Sequence, residues 1–255
     1  MHATETINPL SVGLDSWEDE AILDAFVKGQ EQAVAAVKTA RSALAEATRA
    51  IVARLGETSR IVYVGAGSSG VIAAQDGMEL AGTFGWPEER IVFLRAEGGS
   101  LASIHGGEED RTEAARDRIA ELALTSDDVV IAVAASGSTP FTLAAVEAAA
   151  ETGALTVGIA NNPDTPLLAI ADMPVLLASG PEVIAGSTRM GAGTAQKAAL
   201  GMISSLAMIR LGHVYDGLMV NFRVDNTKLR RRAIAIVDHM TGCGETAAEA
   251  ALASC

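Results

Sequence analysis

Short apolar runs alternate with longer segments of helical periodicity through the middle of the chain. The runs are rich in Val, Ile and Leu, and they lie at 60–64, 90–94, 128–133, 155–160 and 174–177. Continuous apolar runs of this length are typical of strands that are buried on both faces of a parallel sheet. The Ala-rich segments at 69–82, 109–123 and 140–152 predict helices between them. The alternation therefore predicts an α/β fold, with a doubly wound parallel sheet flanked by helices.

Helical periodicity also occupies both ends of the chain. It follows an irregular arm of about 16 residues, and it covers 17–55, 187–211, 224–240 and 245–253. No linker rich in Pro, Gly or Ser separates these parts. We therefore expect three consecutive regions: an N-terminal arm with helices at 1–58, an α/β core at 59–212, and a C-terminal helical extension at 213–255. The order of the strands does not follow from the pattern.

Composition and charge narrow the class of protein. Of the 255 residues, 49% are apolar but only 4% are aromatic, which fits Ala-rich helices packed closely on a sheet. The formal charge of −13 argues against nucleic acid as a partner. Backbone N–H groups at helix N-termini can still hold a small phosphorylated ligand.

Cysteine usage and hydropathy indicate the compartment. Cys243 and Cys255 give neither a disulfide framework nor metal-ligand spacing. The N-terminus lacks the pattern of a signal peptide, and no apolar run is long enough to cross a bilayer. We expect a cytoplasmic protein that has no membrane partner and keeps its thiols reduced.

Two glycine-rich turns carry the candidate chemistry. Gly65-Ala66-Gly67-Ser68-Ser69-Gly70 follows the first apolar run, and Ser136-Gly137-Ser138-Thr139-Pro140 follows the third. Hydroxyls and helix-terminal N–H groups both donate hydrogen bonds to phosphate oxygens. We interpret the turns as two sides of one phosphate site. The residues predicted to bind there are Gly67, Ser68, Ser69, Ser136, Gly137, Ser138 and Thr139.

Two other interpretations of the first turn stay open. The turn matches G-x-G-x-x-G, and Glu97 follows the next apolar run, which is the pattern of a dinucleotide site. A dinucleotide needs only one pyrophosphate turn, so the second turn counts against this interpretation. Alternatively, the hydroxyl residues only cap two ordinary helices.

A third polar stretch, at 180–197, makes the pattern more specific. It carries Glu182, then Ser187 and Thr188 at a predicted helix start, then Arg189 and Lys197. With both turns, it resembles the sugar isomerase (SIS) superfamily, and within it the N-acetylmuramic acid 6-phosphate etherases. The similarity covers about 4–240 and includes the opening stretch Thr4-Glu5-Thr6-Ile7-Asn8-Pro9. We add Glu182, Ser187 and Thr188 to the predicted substrate-binding residues.

The resemblance implies an activity. Etherases of this family cleave the D-lactyl ether of N-acetylmuramic acid 6-phosphate, giving N-acetylglucosamine 6-phosphate and D-lactate. By resemblance, Glu79 protonates the departing lactate and Glu109 removes the C2 proton, with Glu108 as the alternative base if the register slips by one. The resemblance further implies an SIS fold, a homodimer, a phosphorylated amino sugar as ligand of the core at 59–212, no metal and no redox cofactor.

Two alternatives to an etherase remain. An aldose–ketose isomerase would need the same turns and one base, and a non-catalytic regulator, such as the glucokinase regulatory protein of this superfamily, would need only the turns. The chain has Val71 and Ser138 where the family usually has Arg, so the exact sugar phosphate does not follow from the motifs. His105 and His213 are further candidates for proton transfer.

Overall fold

The computed structural model describes residues 2–98 and 106–254. Its centre is a parallel sheet of five strands, each formed by one of the predicted apolar runs: β1 (Ile61–Gly65), β2 (Ile91–Arg95), β3 (Val129–Ala134), β4 (Leu155–Ala160) and β5 (Met173–Leu176). Every residue of β1, β3 and β4 is buried. Burial on both faces explains why these strands are continuously apolar.

The strand order is β2-β1-β3-β4-β5. Gly65, at the carboxyl end of β1, lies beside Arg95 on one side and Val133 on the other. The chain leaves β1 for β2 on one side and then returns to β3 on the other, so the winding reverses at β1 and β3. Ligands of open α/β sheets bind at such a switch point, outside the carboxyl ends of the strands. Both glycine-rich turns lie there.

Helices cover both faces of the sheet. In chain order they are α1 (Asp19–Thr39), α2 (Arg41–Arg54), α3 (Gly67–Phe84), α4 (Thr112–Leu122), α5 (Pro140–Glu151), α6 (Pro166–Ile170), α7 (Gly191–Arg210), α8 (Thr227–Thr241) and α9 (Glu245–Ala253). Alternate strand residues face opposite sides. Tyr63 and Ile131 belong to the core beneath α1, α2, α3 and α7, whereas Val62 and Val130 belong to the core beneath α4 and α5. The doubly wound α/β prediction is confirmed.

The two ends of the chain differ in how they join this core. Three short 3₁₀ turns, Ala3–Glu5, Pro9–Ser11 and Leu14–Ser16, form the arm that precedes α1. After α7, a small hairpin of β6 (Val214–Tyr215) and β7 (Leu218–Met219) leads to α8 and α9, which pack on each other. Across the described ranges, no helix combines the length and the apolar character needed to span a bilayer.

A buried ion pair joins β1 to β3 at the opposite edge from the turns. The Asp128 carboxylate accepts hydrogen bonds from the N–H and guanidinium of Arg60 and from the N–H of Thr125, with the two shortest Arg60 contacts at 2.8 Å. The Asp128 side chain is 3% exposed and that of Arg60 is 25% exposed. Burial by itself raises the pKa of the Asp128 carboxyl, but the hydrogen bonds from Arg60 and Thr125 outweigh it and lower the pKa below its usual value.

We expect Asp128→Ala to lower the free energy of unfolding at pH 7 by about 2 kcal/mol, because the Arg60 charge and three backbone or side-chain donors lose their acceptor. The depressed pKa means that the pair stabilises the fold above about pH 3.9 and that its contribution is lost as the pH falls below this value. Urea unfolding at pH 7 and pH 3 should therefore show the variant's deficit shrinking in acid. Asp127→Asn, at the exposed neighbour, is the control. An equal deficit at both pH values would contradict the assignment.

Candidate functional site

A cavity of about 190 Å³ lies at the carboxyl ends of β1 and β3. Residues of both glycine-rich turns, of the segment before α4, of the loop before α7 and of the N-terminal arm line it. The predicted site residues among them are Gly67, Ser68, Ser69, Glu109, Ser136, Thr139 and Thr188. The volume is below the roughly 300–1,000 Å³ of pockets that enclose a drug-sized ligand. The cavity suits a phosphate group and the adjoining part of a small molecule.

The first turn depends on a close approach between strand and helix. A Cβ atom on Gly70 would lie 2.8 Å from the carbonyl oxygen of Gly65, so a side chain there would push α3 away from β1. Gly67 has a φ of +56°, which favours glycine. The first N–H groups of an α-helix have no intrahelical acceptor. In α3, Gly67 donates its N–H to Glu97 and Gly70 donates to Ala66, so the N–H groups of Ser68 and Ser69 are the ones available at the cavity, beside their own hydroxyls.

Glu97 holds this turn in place. Its carboxylate accepts a hydrogen bond from the N–H of Gly67 at 2.6 Å and pairs with Arg95 at 3.3 Å. The side chains of Glu97 and Arg95 are almost completely buried. In the dinucleotide interpretation Glu97 would bind a ribose hydroxyl. Its engagement inside the protein argues against that interpretation.

The second turn presents two hydroxyls to the cavity. The Oγ of Ser136 lies 3.5 Å from the Oγ1 of Thr139, and Pro140 opens α5 immediately afterwards. The other two predicted residues of the turn do not line the cavity. Gly137 has a φ of +66° and packs over Thr165, whose Oγ1 would lie 2.3 Å from a Cβ atom at Gly137. The Oγ of Ser138 lies 3.4 Å from Nε2 of His2.

Glu109 is the predicted base that reaches the cavity. Its Oε1 lies 3.0 Å from the position that a Cβ atom on Gly67 would occupy. Its carbonyl oxygen accepts a hydrogen bond from the N–H of Phe141, at the start of α5, at 2.9 Å. Glu108, the alternative base, instead pairs with Arg111 at 2.7 Å and does not line the cavity.

The surroundings of Glu109 favour its neutral form. Partial burial raises the pKa of the Glu109 carboxyl, and the negative charges of Glu97 and Asp110 raise it further. A carboxylate with a raised pKa is a stronger proton acceptor when it is ionised. A carboxylate suited to proton transfer therefore lies against the first glycine-rich turn.

Glu182 lies outside the cavity lining. Its buried carboxylate accepts hydrogen bonds from the N–H groups of Gly191 and Ala192, both at 2.8 Å. These donors belong to the N-terminus of α7, where the helix dipole favours a negative charge. Of the neighbouring predicted residues, Thr188 lines the cavity and Ser187 does not. Substrate contact by Glu182 and Ser187 stays a prediction.

Glu79, the predicted acid, also lies outside the cavity. Its side chain is 55% exposed and pairs with Lys197 of α7 at 3.1 Å. One turn earlier on α3, buried Asp76 accepts hydrogen bonds from the hydroxyls of Tyr63 and Ser204 at 2.9 and 3.0 Å. Asp76 thereby joins α3 to β1 and α7, and it fixes the orientation of the helix surface that carries Glu79.

Glu5, which lines the cavity from the N-terminal arm, is not among the residues predicted from the sequence. The only signal was that the opening stretch resembles the family. Of the two histidine candidates, His105 lies outside the described residues, and His213 packs 6.0 Å from the ring of Trp86. In the described ranges, no group of three or more His, Cys, Asp and Glu side chains is arranged to hold a metal ion.

The α/β core contains a SIS domain. The family model of the SIS domain matches residues 110–206. Among solved structures, a phosphoheptose isomerase from Francisella tularensis superposes with a TM-score of 0.52 at 19% sequence identity, covering 74% of this chain and all of its own. At this identity the likeness concerns the fold.

Curated relatives define the family more narrowly. An N-acetylmuramic acid 6-phosphate etherase from Deinococcus radiodurans is 48% identical over 255 residues, covering 99% of this chain and 83% of its own. One from Rubrobacter xylanophilus is 42% identical over 254 residues, covering 99% of this chain and 84% of its own. The chain belongs to the N-acetylmuramic acid 6-phosphate etherase family.

We expect the Glu109 carboxyl to titrate above the usual glutamate pKa of about 4.3. Asp110→Asn should lower the pKa of Glu109, because it removes one of the negative charges that oppose ionisation. Carboxyl ¹³C NMR titration measures this pKa directly. Asp117→Asn, an equal charge change on the exposed side of α4, should leave it unaltered. A Glu109 pKa at or below the usual value in the wild type would contradict the assignment.

Proposed function

We infer that the protein cleaves the D-lactyl ether of N-acetylmuramic acid 6-phosphate to N-acetylglucosamine 6-phosphate and D-lactate. The observation that carries this proposal is the Glu109 carboxylate, which lies against Gly67 in a cavity walled by both glycine-rich turns. The family membership supports the same activity, a carbon–oxygen lyase acting on an ether. The hydroxyls of Ser68, Ser69, Ser136 and Thr139, with the N–H groups of α3, hold the phosphate.

The reaction requires two proton transfers. In the open-chain sugar, the Glu109 carboxylate removes the proton from C2, which is acidic because it adjoins the C1 carbonyl. The electron pair forms the C2–C3 double bond and the C3–O bond to lactate breaks, while Glu79 gives a proton to the departing oxygen. Water then adds across the double bond to give the hydroxyl at C3 and a proton at C2. No oxidant or reductant is consumed.

The separation of the two glutamates supports a homodimer with shared sites. Glu79 lies twelve residues beyond Gly67 on α3, which places it about 18 Å along the helix axis at 1.5 Å per residue. Glu109 lies against Gly67 itself. A hexose 6-phosphate held at Gly67 is too short to reach both carboxyl groups of one chain. We infer that Glu109 of one subunit and Glu79 of its partner act on the same sugar.

The surface around Glu79 suits contact with a second copy. Met78, the next residue, is 50% exposed, and Met202 on α7 is 53% exposed. α7 packs against α3, so both belong to the same pair of helices. Methionine side chains are frequent at protein interfaces, and exposed ones on adjoining helices favour burial against a partner.

Wild-type protein incubated with N-acetylmuramic acid 6-phosphate should release D-lactate, measured with a lactate dehydrogenase assay. Glu109→Gln and Glu79→Gln should each reduce the rate at least about a hundredfold, because each removes one proton-transfer group. Glu108→Gln, the adjacent and equally conservative change, should retain activity close to that of the wild type. No lactate from a wild type that is nevertheless stabilised by sugar phosphates would refute the etherase and favour an isomerase or a regulator.

Heterodimers of the two inactive variants test the shared site. If Glu79→Gln and Glu109→Gln chains are co-expressed with different tags and purified as mixed dimers, one of the two sites regains both glutamates. We expect about half of the wild-type activity per dimer, as a two-fold symmetric interface requires. Homodimers of either variant are the controls and stay inactive. Mixed dimers that form but stay inactive would place both glutamates in one chain's site.

A further inference from the structure

The N-terminal arm is attached to the core beside the phosphate cavity. Thr4 is completely buried, although it is the fourth residue of the chain. Its N–H donates to Oδ1 of Asn162 at 3.3 Å, its hydroxyl accepts from Nδ2 of Asn162 at 3.0 Å, and its carbonyl oxygen accepts from the N–H of Gly186 at 3.0 Å. Asn162 also donates to the carbonyl oxygen of Ala135, in the wall of the cavity, at 2.8 Å. The arm is thus bonded directly to the loop before α7, and Asn162 links it to Ala135, the residue before the second turn.

Further contacts hold the rest of the arm. The hydroxyl of Ser11 donates to the carbonyl oxygen of Val183 at 2.7 Å, so the arm meets the loop before α7 at a second point. The hydroxyl of Thr6 donates to the carbonyl oxygen of Ala3 at 2.7 Å and closes the 3₁₀ turn that contains Glu5. Hydrogen bonds therefore hold the backbone on both sides of Glu5. They fix the position from which the Glu5 side chain extends.

The Glu5 side chain is directed at the cavity by this attachment. It is one of the lining residues, together with Glu109, Ser136 and Thr188. Its Oε2 lies 3.1 Å from the position that a Cβ atom on Gly186 would occupy, so the missing side chain at Gly186 leaves room for the carboxylate. No residue in the described ranges donates a hydrogen bond to the Glu5 carboxylate. A carboxylate accepts hydrogen bonds only, and here its acceptor sites are available to a ligand.

We propose that Glu5 is a substrate-binding residue that accepts a hydrogen bond from a hydroxyl or amide N–H of the sugar. It cannot bind the phosphate, because two negative charges repel. The hydroxyls of the two turns hold the phosphate, and Glu5 and Thr188 belong to the part of the lining that the arm and the loop before α7 contribute. The arm thereby makes the site bind a sugar phosphate, which has hydrogen-bond donors on the sugar, more tightly than inorganic phosphate. This inference rests on the proposed function only in taking the ligand to be a sugar phosphate.

The test compares two ligands on one site by calorimetry: N-acetylglucosamine 6-phosphate and inorganic phosphate. Glu5→Gln should weaken binding of the sugar phosphate about tenfold, since the charged acceptor is lost. Binding of inorganic phosphate should be unchanged or tighter, because a repulsive charge is removed. Thr4→Val, which removes the hydroxyl bonded to Asn162 and loosens the arm, should also weaken binding of the sugar phosphate selectively. Glu18→Gln, an equal charge change on an exposed residue before α1, is the matched control.

Three outcomes would overturn the proposal. Unchanged affinity of Glu5→Gln for the sugar phosphate would show that Glu5 does not contact it. A parallel loss of both ligands would show that the variant damages the cavity and that Glu5 has a structural role. If the wild type binds the sugar phosphate no more tightly than inorganic phosphate, the site has no selectivity that Glu5 could provide. If the wild type releases no lactate but its binding of the sugar phosphate still depends on Glu5, the etherase proposal is refuted and the proposal for Glu5 is supported.

Discussion

The parallel pairing of β1 with β3 is the constraint on which the site depends. Gly65 lies level with Val133, so the two glycine-rich turns leave the sheet side by side. Both strands are buried at every position, so a slip in their register would expose apolar side chains. Gly65 and Gly70 then allow α3 to start directly at the strand end. The cavity is a consequence of this geometry and of the reversal in winding that accompanies it.

In this acidic protein, the donors around each carboxylate decide its role. Asp128 accepts from an arginine and from backbone N–H groups, and it stabilises the fold. Glu182 accepts from the first N–H groups of α7, and Glu97 from the first turn and an arginine. The side-chain carboxylates of Glu109 and Glu5 accept no hydrogen bond from the described part of the chain, and both residues line the cavity. Asp128, Glu182 and Glu97 therefore stabilise the structure, whereas the free acceptors of Glu109 and Glu5 beside the cavity are suited to chemistry and recognition.

The proposed site has three separate sources. The core supplies the hydroxyls, N–H groups and Glu109 at the switch point. In the proposed dimer a second subunit supplies Glu79, because each chain holds its own Glu79 far along α3 from the first turn. The arm supplies Glu5 through the burial of Thr4. In this proposal, binding of a phosphate group requires only the residues of the core. Selective cleavage of one ether also requires Glu79 from the second subunit and Glu5 from the arm.

The sequence by itself determined the elements and the chemistry that lies next to them. Apolar runs predicted all five strands of the parallel sheet, and two glycine-rich turns predicted where the cavity lies, because strand periodicity and turn chemistry are local. The motifs also led to Glu109 and to the family. Strand order, the cap that Glu182 forms on α7 and the exposure of Glu79 required the tertiary structure. So did Glu5, whose position depends on hydrogen bonds between Thr4 and Asn162, 158 residues apart. Hydrogen bonds between residues so far apart give no pattern in a single sequence, because neither Thr4 nor Asn162 indicates by its local context which residue it will contact.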